Sequence, residues 1–172
     1  MTATATAPAP ALGAALPAEA ASGAAIPKIN PATGLSTDYL NHFTEAIMVL
    51  EMISVMPDCL PDFLAWEPRS YREHFAASRF SDRDAVIAAY DAADPALRQS
   101  LDTLTDIMNT LLLATREAIA SDASEAKTQD LSQRAVNGLK PLITRAGAVI
   151  NGTALSSGIS TPQNVVDALF DR

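Results

Sequence analysis

Between Gly34 and Gly138 the chain contains no glycine. That single absence removes most alternative folds. Two-residue β-hairpins depend on Asn-Gly or Gly-X pairs for backbone with positive φ, and the body of this chain has none to offer. Loops that cradle phosphate need glycine where the backbone must approach the ligand, so a P-loop and a dinucleotide-binding fingerprint are both excluded there. Helix is what remains. Hydrophobic residues make up 48% of the 172, yet aromatics supply only 5%. Abundant alanine and small side chains bring helices close together, which favours a helical bundle over a sheet.

Capping residues mark the helix ends. Ser36 or Thr37 caps a helix running to about Met56, with Asp38 in its first turn and Pro57 ending it. Residues 57–68, PDCLPDFLAWEP, read as a short helix or a tight connection between prolines. Ser70 and Glu73 have capping-box spacing and open a helix through about Ser78. Ser81 with Asp84 starts another. Asp94-Pro95 places a capping side chain before a proline at the first helical position. From there Leu97, Leu101, Leu104, Met108 and Leu111 step by four, three, four and three, predicting a helix to about Ala120. Beyond the polar SDASEAKTQ, a second stripe runs through Leu131, Ala135, Leu139, Leu142, Ala146 and Val149. Pro141 should kink it, and Asn151-Gly152 should close it. The prediction is an all-α helical bundle of four to six helices, built on a long antiparallel helical hairpin. Met48, Met52 and Met56 read as part of its core, with an adaptable partner-binding surface as the alternative.

Residues 1–35 are rich in Ala, Pro and Thr, carry only Glu19 and Lys28 as charges, and read as a disordered N-terminal tail. The helical domain is expected over 36–151. Residues 152–172 read as a flexible link and a short C-terminal amphipathic docking helix, with Val165, Val166, Leu169 and Phe170 on one apolar face. The first residues lack the basic start of a signal peptide, no apolar run is long enough to span a bilayer, and Cys59 has no second cysteine to pair with. The expectation is a cytoplasmic protein.

Candidate chemistry centres on the two histidines. Asp38, His42 and Glu45 share a helical face, and His74 on the facing segment completes a conceivable site for one Zn, Fe or Mn ion. Glu73 and His74 are adjacent and diverge by about 100°, so they do not chelate one ion together. The competing reading is an ordinary core helix whose Asp38 supports a partly exposed His42. From Asp38 to Glu67 the chain carries Asp38, Glu45, Glu51, Asp58, Asp62 and Glu67 with no Lys or Arg. The next stretch brings Arg69, Arg72, Arg79 and Arg83, which predict a salt-bridge seam with the acidic helix; Glu51 either reaches solvent at an edge of that helix or pairs with an arginine such as Arg72. An anion pocket made by these arginines with Tyr71 and His74 is the functional alternative.

A formal net charge of −8 argues against nucleic acid as a partner. The basic residues Arg134, Lys140 and Arg145 leave a membrane or granule surface as a lesser alternative. The heptad stripe would also suit a homodimer. With no catalytic constellation and no cofactor motif, the sequence predicts a non-enzymatic, adaptor-like interaction protein. A metal-binding bundle is the second reading.

Overall fold

Asp94 opens the longest element as its side chain predicts: its Oδ1 accepts the N–H groups of Ala96 and Leu97 at 2.8 and 3.2 Å, with Pro95 filling the first helical position. The structure, a computed structural model, describes residues 29–121 and 124–153. These form six α-helices: α1 (Asn41–Met52), α2 (Leu60–Leu64), α3 (Tyr71–Ala77), α4 (Arg83–Ala92), α5 (Pro95–Ser121) and α6 (Glu125–Ile150). Short 3-10 turns, Thr37–Leu40 and Pro57–Cys59, lead into α1 and α2. Ser36 caps the first of these turns through the Asp38 N–H. Ser70 and Glu73 form the expected capping box at α3. Asp82 rather than Ser81 stands before α4, and no side chain caps it.

The predicted stripes meet. α5 and α6 are antiparallel, and Leu101, Leu104, Met108, Leu111 and Ile119 pack into the same core as Leu131, Ala135, Leu139, Leu142 and Ala146. α6 runs unbroken through Pro141. The proline and Asn137, whose carbonyl it leaves without a helical donor, are both exposed, on the solvent side of the helix. Gly152 closes α6 with φ 72°: its N–H bonds Val149 O, and the Thr153 N–H bonds Ala148 O, a Schellman motif. α1 lies along α6 with opposite direction, Leu40 beside Gly147 and Glu51 beside Lys140. α3 and α4 pair with each other, with α3 against the Thr37–Leu40 turn. No helix among the described residues is long and apolar enough to cross a membrane.

The N-terminal boundary differs from the expectation. Residues 29–35 belong to the domain: Leu35 is fully buried and Ile29 packs on the core. Thr33 Oγ1 donates to Ile150 O at 2.6 Å, satisfying a carbonyl that the end of α6 leaves without a partner. A turn built on Asn30 makes this approach, the Gly34 N–H bonding Asn30 O at 2.8 Å. The rest of the expected tail, and the segment carrying Val165, Val166, Leu169 and Phe170, lie outside the described residues.

Two glycines should respond to alanine with opposite signs. Gly34 has φ 73°, and a Cβ there would stand 3.0 Å from Ala89 O, so Gly34→Ala costs about 1–2 kcal/mol or more. Gly147 is helical, and its Cβ would meet only Leu40 Cδ1 at 3.8 Å, so Gly147→Ala is neutral or stabilising by up to about 1 kcal/mol. Urea midpoints of the two variants test this; equal midpoints would refute the reading of Gly34.

Candidate functional site

Aromatic residues are scarce, and most of them converge. Tyr39 of the Thr37–Leu40 turn and His42 and Phe43 of α1 meet Trp66 from the connection to α3, together with Tyr71, His74 and Phe75 of α3 and Tyr90 of α4. Tyr71 and Tyr90 stack at 4.4 Å, joining α3 to α4. Each phenol then finds a polar partner. Tyr39 OH donates to Arg69 O at 2.7 Å, Tyr71 OH accepts the Ser36 N–H at 2.9 Å, and Tyr90 OH donates to the Asp102 carboxylate at 2.6 Å. Burial pushes the Tyr39 phenol up to about 12, and raises Tyr71 and Tyr90 further.

His42 sits inside this cluster, only 6% exposed. Its ring stacks on Trp66 at 4.8 Å, and the His74 ring lies 5.9 Å away. Nε2 is buried with no hydrogen-bond partner. Burial first, then the neighbouring His74 and Arg69, hold His42 down at about 4, against an opposing backbone hydrogen bond to Glu67. His74 is also lowered, by burial and Arg69, while Glu45 and Asp38 act in the opposite direction. The four expected metal ligands therefore share one corner, but they do not close round an ion. Among the described residues no group of three or more His, Cys, Asp or Glu side chains is placed to hold a metal. His42 is a neutral core imidazole under Trp66, more deeply buried than its place in a polar first turn suggested.

The arginine seam also takes a different form. Arg72 reaches Asp91 of α4, with Nε and Nη2 at 2.9 and 2.5 Å from Oδ1, and lies over the Tyr90 ring. Glu51 pairs instead with Lys140 of α6 at 2.6 Å. The reason is distance along α1: α3 packs on the turn before the helix, and Glu51 is roughly 16 Å further on at 1.5 Å per residue. Arg83 stays local, near Asp84 at 3.8 Å and Ser78 O at 3.4 Å. Arg79 makes no ion pair among the described residues. Arg69 and Arg72 do line a cleft of about 490 Å³, but they face Asp102 and Asp106, and Arg79 and Arg83 are not in its wall. Burial and the adjacent Asp102 raise the Asp106 pKa. With Tyr71 OH and Asp102 already hydrogen-bonded, the cleft is mixed in charge rather than an anion pocket.

A surface of another kind emerges at the far end of α1. Its core face is Phe43, Ala46, Ile47 and Leu50. Met48 and Met52 lie about 140° and 180° round the helix from Phe43, so the core that covers one face leaves the other bare. Met48 is 55% exposed and Val55 81%, and Met52, Met56 and Leu64 of α2 are exposed with them. The core reading of the methionines is overturned. Glu45, Glu51, Asp58 and Asp62, from the same stretch of chain, are exposed as well. The available signal was a helix apolar on two sides in a chain with a single core.

Comparison with protein-family models, with curated proteins and with solved structures finds no match to this chain.

His42 makes stability depend on pH in a defined direction. Its folded pKa of about 4 lies below the ordinary 6.5, so between those values the unfolded chain takes up a proton that the folded chain refuses. The contribution is complete above pH 6.5 and is lost as pH falls toward 4. Between pH 6.5 and 5 the wild type should lose about 1.6 kcal/mol relative to a His42→Phe variant. Urea denaturation of both proteins across that window measures it, and a constant difference would show that the imidazole is not held neutral.

Proposed function

We propose that this chain is a non-enzymatic interaction module whose docking face is the exposed surface of Met48, Met52, Val55, Met56 and Leu64, and that it receives a basic amphipathic helix of a protein partner. The carrying observation is that Met48, Met52, Val55, Met56 and Leu64 are all exposed within one stretch of chain that also exposes Glu45, Glu51, Asp58 and Asp62. Large apolar side chains in solvent are tolerated singly, but grouped on one helix side they mark a contact surface. Methionine is unbranched and polarisable, and so adapts to a partner's shape. An amphipathic helix laid on such a face buries its apolar side, while its lysines and arginines meet Glu45, Asp58 and Asp62; Glu51 already answers Lys140. The same carboxylates disfavour a second copy of the chain at this face.

A designed helical peptide of leucine and lysine is the probe, with a leucine–glutamate peptide as control. The lysine peptide should bind, more weakly as salt is raised, and the glutamate peptide should not. Changing Met52→Glu and Val55→Asp together should weaken binding about tenfold or more, ~1.4 kcal/mol, without lowering the melting temperature, because both side chains are exposed. The two substitutions add negative charge, so a loss isolates the apolar contact. Undiminished binding by the double variant, or equal binding of both peptides, overturns the reading.

A further inference from the structure

Every large apolar side chain exposed among the described residues belongs to the methionine face, and the chain carries a segment matched to it. We infer that residues 162–172 fold back on this face and occupy it until a partner displaces them. The inference rests on the docking reading above and adds its regulation.

The pattern of the segment is the first argument. Thr161-Pro162 places a capping hydroxyl before a proline at the first helical position, so PQNVVDALFDR predicts a short helix. At the helical turn per residue, Val165, Val166, Leu169 and Phe170 fall within about 140° of its circumference. Asp167 and Asp171 fall about 130° and 170° from the centre of that arc, so both acids point away when the apolar side is down. Arg172 is nearer, about 90° from the centre, so the charge closest to the acidic stretch beneath is the positive one. A helix this short is marginal alone in water, and burying its apolar side is what orders it.

Reach is the second argument. The described chain ends at Thr153, beyond the end of α6. α1 runs along α6 in the opposite direction with Leu40 beside Gly147, so the chain leaves the domain near the start of α1. Met48 lies roughly 20 Å from Thr153 along the helix axis and ~15 Å across it, one interhelical distance plus a side chain. The link from Thr153 to Pro162 spans at most ~31 Å. It reaches Met48 but not Met56, so Pro162 arrives at the Met48 end and the segment runs parallel to α1. Val165 and Val166 then come first, with Leu169 and Phe170 one turn on, the same ~6 Å step that separates Met48 from Met52.

Other pairings fit less well. A nearer groove beside Ile29 and Pro31 has Leu35 and Ile150 in its wall, but both are already fully buried, so little apolar surface is left there to cover. Residues 1–28 hold only Leu12, Leu16 and Ile26 as large apolar residues after Met1, spread between prolines and glycines. A short link holds 162–172 at an effective concentration in the millimolar range, so a weak contact suffices. A partner helix with several lysines meets the carboxylates more strongly than one arginine does, and so displaces it.

The test uses the full-length protein labelled with ¹⁵N and with ¹³C in its methionine methyl groups. Val165→Ser with Leu169→Ser should shift the Met48, Met52 and Met56 methyl resonances and leave that of Met108, fully buried in the core, in place. Deleting residues 154–158 should produce the same shifts, because the remaining link spans only ~14 Å. Both variants should bind the leucine–lysine peptide about five- to tenfold more tightly than the wild type, as when ~80–90% of wild-type faces are occupied. Their helical melts should match the wild type. Methionine resonances or peptide affinities that ignore both variants overturn the proposal. So does a lower melting temperature, which assigns the segment to the core, and so do shifts confined to the amides of Ile29 and Asn151, which seat it in the nearer groove. Wild-type methyl resonances that change with protein concentration also overturn it, since the occupant is then a second copy's segment. The two readings fail separately. Unmoved methyl resonances with equal peptide affinities overturn this inference alone. Methyl shifts in both variants, with no peptide binding by any of the three proteins, overturn the docking reading and leave 162–172 as a fixed cover.

Discussion

Residues 66–70 cross from α2 to α3 without regular secondary structure, and backbone in that state has no ladder of its own to satisfy its polar groups. Side chains from elsewhere do the work. Arg116 of α5 donates to Trp66 O at 2.7 Å, and Tyr39 OH takes Arg69 O. Trp66 Nε1 donates in turn to His42 O at 3.3 Å. This crossing ties the turn before α1 to α5 and sets where α3 begins. The Tyr71–Tyr90 stack, the Ser36 contact and the α4 attachment through Asp102 follow from that start. The rare aromatics are concentrated where irregular backbone must be covered and hydrogen-bonded at once, a task leucine cannot perform.

The same arrangement explains why α1 has one satisfied face and one bare face. α6 and the aromatic cluster take the side of Phe43, Ala46, Ile47 and Leu50, and α2 leaves Met48, Met52 and Val55 uncovered. Carboxylates are exposed in the same stretch, within a chain of net charge −8, so the bare face combines apolar surface with negative charge. The two ends of α1 thus differ in kind: the first turn is locked by aromatic contacts, and the last is presented to solvent.

The hairpin was legible because its information is local. Heptad spacing, Asp94-Pro95 and Gly152 each act within a few residues of the structure they specify. The boundary at residue 29 was not, because Ile29 and Leu35 are isolated apolar residues in a stretch dominated by Ala and Pro, and an average over such a window hides them. Charge order along the chain suggested an arginine seam, but Glu51 found Lys140, whose place beside it depends on how α1 lies on α6. The methionines were read as core because periodicity identifies an apolar face without saying which neighbour covers it. His42 stood out in the sequence, yet its setting depends on Trp66, 24 positions away in a proline-bounded segment.

Trp66 is the chain's single tryptophan, and it sits where the crossing is pinned, stacked on one imidazole and bonded at both its indole and its carbonyl. The tryptophan emission of this protein therefore comes from one address. Emission from that indole follows the attachment of residues 66–70 to α1, while circular dichroism follows the helices, most of which lie in α5 and α6. The molecule carries an intrinsic optical label that separates undocking of its aromatic corner from melting of its hairpin.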